Sequence, residues 1–453
     1  MNKAFTRRNF IRTSSVAGLG LVVAPSVTLS NPLKPEKVRI ALIGTGLRGQ
    51  NHLYNLLQRS DVEIPAICDI DPGMLADSLK MIEKGGFPKP EVYTGSDYAY
   101  HDLLERNDIQ GVIISTPWLW HPIMAVDTMK AGKFAGVEVS AANTIEDCWD
   151  MVNASEETGM PCMILENVCY RRDIMAIHNM VTQNLFGELV HCHCGYQHDL
   201  REVLFNNGKQ PYGGGLKFGP EAFSEAQWRT EHYLKRDGDV YPTHGIGPVG
   251  NYLDINRGNR FVSLTSTSTK SRGLHNYIVK QGGADHPHAN LKWKMGDIVT
   301  TTISTARGES VIVIHDTTLP RPYSLGFRVQ GTRGLWMKDG DQIYIEGVSP
   351  PHRWEDSKAY LEKYDHPLWQ RYEDLAVGSG HGGMDFFVLN AFVESVKRNI
   401  QPPLDVYDAA TWSVITPLSE RSIASGGEPQ DFPDFTRGRW IRRKPVFGLE
   451  DEY

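Results

Sequence analysis

From Lys37 onward, short apolar segments alternate with amphipathic segments along the chain. VRIALIG, VEIPAICDI, GVIISTP and FAGVEV are predicted to be buried strands, and helical segments separate them. Strands that alternate with helices pair in parallel, because each connection must cross back over the sheet. The pattern therefore predicts an α/β fold that begins with a doubly wound parallel sheet.

A glycine motif occupies the first predicted turn from strand to helix. Gly44, Gly46 and Gly49 form G-x-G-x-x-G. The first glycine allows a tight turn, the second lets the backbone approach a pyrophosphate, and the third lets the helix pack close to the strand. Asp69 ends the second predicted strand, where a carboxylate can bind both ribose hydroxyls. No arginine follows Asp69 to bind a 2′-phosphate, which favours NAD over NADP.

The segment STPWLWHP follows another predicted strand, at the edge where ligands of open α/β sheets bind. Trp118, Trp120 and His121 could therefore form a wall of the nucleotide site. The alternative for either tryptophan is a position in the core.

Composition excludes two classes of partner. The formal net charge of −7 disfavours a nucleic acid, which requires a concentrated basic field. No segment after the leader is long and apolar enough for a membrane helix.

The six cysteines fall in predicted core positions, as Cys68 does at the end of a buried strand, so we expect them to be small core residues rather than disulfides.

Residues 1–35 are expected to be a twin-arginine signal segment and linker. Arg7 and Arg8 are followed by Asn9, Phe10 and a modest apolar stretch. This route exports folded proteins, which predicts a periplasmic location. No pool of nicotinamide nucleotide would recharge the protein there, so a bound nucleotide would have to be retained.

Several motifs extend these predictions to the whole chain. GTGLRG, CDID, STPWLWH and GKFAGVEVSAANT resemble, in order and spacing, the Gfo/Idh/MocA family of nicotinamide-dependent sugar oxidoreductases. ENVCYRRD, GYQHDLR, WRTEHYLKRDGDVYPTHGIGPV, LPRPYS and GHGGMDFFVLNAFVESV are similar to its glycoside hydrolase 109 branch. The resemblance implies an NAD-binding Rossmann domain at residues 36–166. It implies a substrate-binding α+β domain at residues 167–453, with a large, open, mainly antiparallel sheet and a C-terminal extension.

Two segments depart from the oxidoreductase pattern. The lysine that manages the proton of the substrate hydroxyl in those enzymes aligns with Val139, and the proline after it aligns with Ser140. Val240 and Pro242 replace an aspartate and a glycine, whereas His244 is retained. The usual group for proton transfer is therefore missing, which counts against a simple oxidoreductase.

The resemblance also implies the residues of the site. The candidate catalytic residues are His244, Tyr323 and Tyr196. The candidate substrate-binding residues are Tyr196, His198, Arg229, Tyr241, Pro242, Thr243, His244 and Tyr323. The candidate cofactor-binding residues are Gly44, Gly46, Leu47, Arg48, Gly49, Asp69, Trp118, Leu119, Trp120, His121, Glu138, Val139 and Asn167.

The segment LVHCHCGYQHD contains the candidates Tyr196 and His198 and two further histidines, His191 and His193. Strand alternation places Tyr196 and His198 on one face with Cys192 and Cys194, so that they can meet one ligand. His191 and His193 fall on the other face without a third ligand at a convincing spacing. We therefore expect no metal site, and expect these two histidines to be hydrogen-bonded side chains against a covering helix.

The remaining candidates allow more than one role. His244, at a predicted junction of loop and helix, could transfer a proton, since imidazole titrates near neutral pH, or it could cap the helix. Arg229 could bind a polar sugar group or pair with a surface acid. An ordinary glycosidase would instead need two carboxylates across the scissile bond. The candidates for such a pair are Glu138, Glu166, Asp199 and Asp239.

The resemblance implies a glycosidase that removes terminal α-N-acetylgalactosamine from a glycan. NAD⁺ would take a hydride from C3, a base would remove the acidified C2 proton, the C1 substituent would leave, water would add, and the hydride would return. Because NAD⁺ is regenerated in every turnover, a dinucleotide site becomes compatible with export. The alternatives are a periplasmic sugar oxidoreductase with retained NAD(P) and a sugar-binding protein with structural NAD. The open sheet could also support a homo-oligomer.

Overall fold

The computed structural model describes residues 37–449 and 452–453. The predicted leader lies outside these residues. Two β-sheets organise the described chain, the first parallel and the second mainly antiparallel, with helices packed on both. The predicted fold class, a Rossmann sheet followed by an α+β domain with a large open sheet, is confirmed.

The first sheet contains the predicted glycine turn. Its strands pair in parallel in the order β4-β3-β1-β5-β6-β7, with the short β2 beside β1. The predicted second strand is divided in two at Pro65, which has no backbone N–H to donate to a neighbouring strand. The strands are β1 Val38–Ile43, β2 Val62–Glu63, β3 Ala66–Cys68, β4 Glu91–Tyr93, β5 Gly111–Ile114, β6 Phe134–Val137 and β7 Cys162–Ile164, and the helices between them are α1 Leu47–Leu57, α2 Pro72–Lys84, α3 Tyr100–Leu104, α4 His121–Lys130 and α5 Ile145–Thr158.

The second sheet runs in the order β15-β14-β13-β12-β8-β11-β10-β9-β16. All its neighbours are antiparallel except β8 and β11, which are parallel. Burial alternates along its strands, so one face packs on helices and the other is partly exposed. The strands are β8 Leu189–Gln197, β9 Phe261–Ser268, β10 Ile298–Thr305, β11 Ser310–Asp316, β12 Arg328–Gly331, β13 Gly334–Met337, β14 Gln342–Ile345, β15 Glu355–Asp356 and β16 Gln430–Asp431.

Two helices from the C-terminal part of the chain return to the first sheet. Phe392 is buried against β5 and β6, where a Cβ atom built on Gly136 would lie only 2.9 Å from its ring. The backbone N–H of Ile164 in β7 donates to the carbonyl of Leu404. The helices after β7 are α6 Arg172–Thr182, α7 Arg201–Leu204, α8 Arg229–Lys235, α9 Thr243–Tyr252, α10 Gly273–Gly282, α11 Lys358–Lys363, α12 Pro367–Ala376, α13 Met384–Arg398, α14 Val406–Ser413 and α15 Ile415–Ala424.

The predicted environment of His191 and His193 is wrong. Both side chains lie on the partly exposed face of β8, opposite the face on which α9 packs. His191 Nδ1 is 2.9 Å from Ser310 Oγ, whereas His193 Nε2 has no hydrogen-bond partner among the described residues. Alternation along the strand separated the two faces correctly, but it carries no information about which face a helix covers.

All six cysteines are buried and unpaired, as the core interpretation predicted. Within residues 37–449 and 452–453, no helix has the length and apolar character needed to cross a membrane. The same part of the chain holds no cluster of three or more His, Cys, Asp or Glu side chains that could bind a metal.

Candidate active site

A cavity of about 720 Å³ lies where the carboxyl ends of the parallel strands meet β8, α8 and α9. It extends from the glycine turn at Gly44 to Tyr196 and His244. A volume of this size accommodates a cofactor or ligand rather than a few water molecules. The structure therefore brings the predicted nucleotide-binding and sugar-binding regions into one site.

The glycine turn fits a dinucleotide. Gly44 has a φ of +88°, and a Cβ atom there would lie 2.6 Å from the carbonyl oxygen of Ser115. A Cβ atom on Gly49 would lie 2.1 Å from the carbonyl oxygen of Gly44, so only glycine lets α1 begin this close to β1. A Cβ atom on Gly46 would have no neighbour within 4 Å and would enter the cavity. The N-terminus of α1 can therefore receive a pyrophosphate.

Asp69 lies at the end of β3, as predicted, and lines the cavity. One of its carboxylate oxygens accepts hydrogen bonds from Thr45 N at 2.5 Å and Thr45 Oγ1 at 3.1 Å. The other accepts from Asp71 N at 2.9 Å. The carboxylate is held beside the glycine turn, in the place where a ribose would bind.

A buried ionic network forms the wall behind the start of α1. Arg48 Nε donates to Glu138 Oε1 at 2.6 Å, and Arg48 Nη1 is 3.1 Å from Asp385 Oδ2. His52 Nε2 is also 2.6 Å from Glu138 Oε1. Burial alone would raise the pKa of Glu138, but Arg48 and His52 outweigh it and hold the pKa far below its usual value. Glu138 therefore stays ionised, and its carboxylate orients Arg48.

The segment from Thr116 to His121 lines the cavity with aromatic rings, and its only histidine has a structural role. His121 Nδ1 lies 2.7 Å from the carbonyl of Ser140, and Nε2 lies 2.7 Å from the carbonyl of Thr116. Burial lowers the pKa of His121. With both ring nitrogens facing backbone carbonyls, His121 offers the cavity its ring rather than a polar atom. Trp118 is buried at 3% exposure, and Trp120 is partly exposed.

His244 and Glu166 form a hydrogen-bonded pair at the opposite side of the cavity. His244 lies in the first turn of α9, and its Nδ1 is 2.7 Å from Oε1 of the fully buried Glu166. A carboxylate at this position accepts the Nδ1 proton and leaves the Nε2 lone pair available to a ligand. This geometry suits a general base whose orientation is fixed by its partner.

Two tyrosines surround His244. The ring centroids of Tyr196 and Tyr241 lie 5.3 Å and 4.8 Å from that of His244. Burial raises the pKa of both tyrosines well above the usual value, against the opposing effect of Arg229. Both phenols therefore stay protonated and can donate hydrogen bonds. Tyr196 Oη lies 3.2 Å from His198 Nδ1, so these two residues do meet at one place in the cavity.

Arg229 is a buried cation rather than half of a surface ion pair. It is 5% exposed, and its guanidinium carbon lies 4.9 Å from the ring centroids of both Trp118 and Tyr241. Nη1 donates to Glu225 at 2.5 Å, whereas Nε and Nη2 have no hydrogen-bond partner in the described part of the chain. Both nitrogens are buried, so the guanidinium is held in place by its two aromatic neighbours and Glu225.

Five of the predicted site residues lie outside the cavity lining. Tyr323 is 46% exposed, although its ring centroid is 5.0 Å from that of His198. Leu119 is 60% exposed. Gly49 packs against Gly44, while Pro242 and Thr243 are buried at the start of α9. The residues of the prediction that do line the cavity are Gly44, Gly46, Leu47, Arg48, Asp69, Trp118, Trp120, His121, Glu138, Val139, Asn167, Tyr196, His198, Arg229, Tyr241 and His244.

None of the four candidate carboxylates is placed as half of a glycosidase pair. Glu138 binds Arg48 and His52, and Glu166 supports His244. Asp199 binds the guanidinium of Arg201 at 2.6 and 2.8 Å. Asp239 is 1% exposed, and among the described residues only its Oδ1 accepts a hydrogen bond, from Tyr241 N at 3.0 Å.

Asp239 predicts a pH dependence of stability. Burial raises its pKa from 3.8 to about 7 despite the hydrogen bond from Tyr241, so the folded state holds the proton more tightly than the unfolded state. Stability is therefore lost as the pH rises between these values, by roughly 2 to 4 kcal/mol. Asp239→Asn should raise the midpoint of thermal unfolding at pH 8 and leave it nearly unchanged at pH 4. The exposed Asp285→Asn variant is the control; equal midpoints for wild type and Asp239→Asn at pH 8 would contradict the prediction.

Several residues that line the cavity were not predicted from the sequence. Tyr212, Glu225 and Trp228 come from the long connection between α7 and α8, and His381 comes from the loop before α13. His381 lies in the GHGGMD motif, so the motif was visible but its position beside the nucleotide site was not.

Comparison with known proteins finds a matching family model for each of the two main parts of the chain. Residues 38–165 match the model of the oxidoreductase family with an NAD-binding Rossmann fold, and residues 170–442 match the C-terminal domain of glycosyl hydrolase 109. The chain is 53% identical to an alpha-N-acetylgalactosaminidase of Tannerella forsythia, with 98% of this chain and 99% of that protein covered. It is 52% identical to a glycosyl hydrolase family 109 protein of Stenotrophomonas maltophilia, with 99% and 100% covered.

Solved structures share the fold at much lower identity. Levoglucosan dehydrogenase in complex with NADH superposes with a TM-score of 0.61 at 20% identity, covering 88% of this chain and all of that one. An inositol dehydrogenase homolog from Azotobacter vinelandii, complexed with NAD⁺, gives a TM-score of 0.63 at 16% identity, covering 88% and 98%. The Rossmann sheet, its glycine turn and the near full-length relatives together show that the chain belongs to glycosyl hydrolase family 109, as an NAD-binding glycoside hydrolase.

Proposed function

We propose that this enzyme releases terminal α-N-acetylgalactosamine from glycans by oxidation, elimination, addition and reduction at the sugar ring. The proposal is supported most directly by one observation. The glycine turn and the His244–Glu166 pair line a single cavity, whereas all four candidate carboxylates are buried or bound to other side chains. A site with a dinucleotide and an oriented base suits elimination better than direct displacement.

When bound, NAD⁺ supplies a reversible oxidation at C3 of the sugar. A ketone at C3 acidifies the proton on C2, and the proposed role of His244 Nε2 is to remove that proton. Glu166 holds the ring in the tautomer that can accept it and stabilises the imidazolium that results. The imidazolium exchanges its proton with solvent while the C1 substituent leaves, and it returns a solvent proton to C2 when the double bond is hydrated.

Arg229, Tyr196 and Tyr241 are proposed to bind the sugar. Arg229 lines the cavity as a buried cation, which suits the hydroxyl or acetamido oxygens of a sugar. The phenols stay protonated and donate to sugar oxygens. Tyr323 stays a candidate at the exposed side of His198, where it could contact the group that leaves.

The decisive experiment follows the C2 proton. The enzyme is incubated in D₂O with para-nitrophenyl α-N-acetylgalactosaminide and no added cofactor, and the released sugar is analysed early by NMR. Elimination requires the C2–H bond to break before the glycosidic bond, so deuterium is expected at C2. Direct displacement leaves C2 untouched, and only protium at C2 would overturn the proposed mechanism.

The same reaction separates the alternative functions. Release of nitrophenol without added cofactor supports the glycosidase. A single burst of NADH, up to one equivalent per site, without nitrophenol would indicate a sugar oxidoreductase, and the absence of both products would indicate a sugar-binding protein. The thioglycoside of the same sugar should also be cleaved, because elimination needs little acid assistance to the leaving group.

We also propose that the enzyme is exported to the periplasm through the twin-arginine route. The support is the pair Arg7 and Arg8 together with the redox balance of the reaction, which consumes no nucleotide. Cell fractionation after replacement of both arginines by lysine tests the proposal, which predicts that the protein then stays in the cytoplasm.

A further inference from the structure

A loop at the open end of the cavity carries a tyrosine that the proposed reaction does not use. Residues 206–217 form this loop, which we call the entrance loop, within the long connection between α7 and α8. Tyr212, near its tip, lines the cavity and is 65% exposed. Tyrosine is enriched at binding surfaces, because its ring is apolar and its hydroxyl group can form a hydrogen bond.

Hydrogen bonds close the entrance loop at its base and brace it inside. Asn206 and Lys217 exchange two backbone hydrogen bonds, at 3.1 and 3.0 Å. Asn207 Nδ2 donates to the carbonyl of Gly213 at 3.0 Å. Tyr212 has a φ of +57°, in the left-handed region that residues other than glycine rarely adopt. Unfavourable backbone of this kind is retained where the surrounding structure requires one position of a side chain.

Charged neighbours place Tyr212 at the sugar end of the cavity. Partial burial and the negative charge of Glu225 raise the pKa of Tyr212, against the opposing charge of Arg229. Arg229 in turn lies over the ring of Tyr241, which is beside His244. The phenol of Tyr212 is therefore near the groups proposed to bind the sugar, stays protonated and can donate a hydrogen bond.

The part of a glycan that is linked to C1 must extend out of this end of the cavity. Under the proposed function, the volume of about 720 Å³ has to hold both the dinucleotide and the terminal sugar ring. Glu225 also lines the cavity, and its side chain is 44% exposed. An aromatic ring beside a carboxylate suits a pyranose, because the ring packs against its C–H groups and the carboxylate accepts hydrogen bonds from its hydroxyls.

We propose that Tyr212 is a specificity-determining residue that packs against the second monosaccharide of the glycan, the one linked to C1 of the terminal sugar. Glu225 accepts hydrogen bonds from hydroxyls of the same ring while its Oε2 holds Arg229. The inference rests on the proposed function, because it takes α-N-acetylgalactosamine to be the ring beside His244. It adds a contact to the group that leaves, which none of the residues proposed for proton transfer supplies.

The test uses substrate analogues in which a methylene group replaces the glycosidic oxygen, because such C-linked analogues bind without being cleaved. In the first analogue N-acetylgalactosamine is linked to a galactose ring, in the second to a methyl group, and in the third to the backbone of serine. Isothermal titration calorimetry measures their affinities for the NAD-bound wild type, Tyr212→Ala and Tyr212→Phe. Tyr54→Ala is the matched control, because Tyr54 is 44% exposed and is not among the described residues that line the cavity.

Tyr212→Ala should bind the galactose analogue about tenfold more weakly than wild type, as expected for the loss of one aromatic contact in a binding site. Its affinity for the methyl analogue should match that of wild type, because this analogue does not reach the entrance loop. Tyr212→Phe keeps the ring, so its affinity for the galactose analogue should be closer to that of wild type than to that of Tyr212→Ala. Tyr54→Ala should bind all analogues as wild type does.

Three results would overturn the proposal. Tyr212→Ala could bind the galactose analogue as tightly as wild type, or it could lose affinity equally for the galactose and methyl analogues, which would indicate an effect on the terminal sugar. A loss confined to the serine analogue would indicate a polypeptide at this position. Failure of the proposed function has a different signature, because wild type would then bind none of the three analogues, and the inference would fall with it.

Discussion

Replacing His244 with alanine is expected to lower kcat for the aryl glycoside by about 10²-fold or more, because the variant lacks the proposed base for the C2 proton. The bound NAD content should be unchanged, since the His244–Glu166 pair lies across the cavity from the glycine turn. The measurement combines kcat with the amount of NAD released on denaturation. His191→Ala, on the partly exposed face of the second sheet, is the control; a His244→Ala enzyme with at least half of the wild-type kcat would contradict the assignment.

Replacing Glu166 is expected to lower kcat in the same way but to a smaller extent. Glu166→Gln keeps the size of the side chain but replaces the carboxylate that orients His244 and stabilises its protonated form. We therefore class Glu166 as a positioning residue. The variant should lose less kcat than His244→Ala, and its pH profile should move to lower pH because the imidazolium loses a stabilising negative charge.

Gly46→Ala is expected to lower NAD affinity by about 10- to 100-fold while leaving the fold intact. The added methyl group meets no protein atom within 4 Å but enters the space that the pyrophosphate needs. Overpacking by one methyl group in a close contact costs about 1 to 3 kcal/mol, which corresponds to this range. Titration of NAD into stripped protein measures the affinity, and near-UV circular dichroism checks the fold.

Gly49→Ala supplies the contrast. Its methyl group would lie 2.1 Å from the carbonyl oxygen of Gly44, so α1 must move and the unfolding midpoint should fall along with NAD binding. If Gly46→Ala bound NAD like wild type, or if both variants were equally unstable, the placement of the pyrophosphate at this turn would be wrong.

The features that the sequence predicted well are those encoded by neighbouring residues. The glycine turn, Asp69 at the end of a strand and His244 at the start of a helix each follow from a short segment with its own geometry. Tyr196 and His198 were correctly brought to one cavity because two residues of one strand face the same way. Local rules were sufficient for these positions.

Features that depend on distant parts of the chain were missed. Asp385 meets Arg48 across more than three hundred residues, and no spacing rule links them. The role of Glu166 was open for the same reason, because its partner His244 belongs to another element. The sequence also led to the wrong face of β8 being predicted as covered by a helix, because the packing of distant helices decides which face is covered. Long-range polar contacts in this site could be found only from the folded chain.

The packing of Phe392 of α13 against β5 and β6 has a consequence for the order in which the parts of the enzyme are synthesised and fold. A ribosome releases residues 37–165 long before it releases α13, so the early product has an unfinished hydrophobic surface at the glycines of those two strands. Asp385, which begins the same helix, reaches Arg48 only at that late stage. Synthesis of the nucleotide-binding segment alone would therefore yield an aggregation-prone fragment, and exchange of this segment between relatives should include α13.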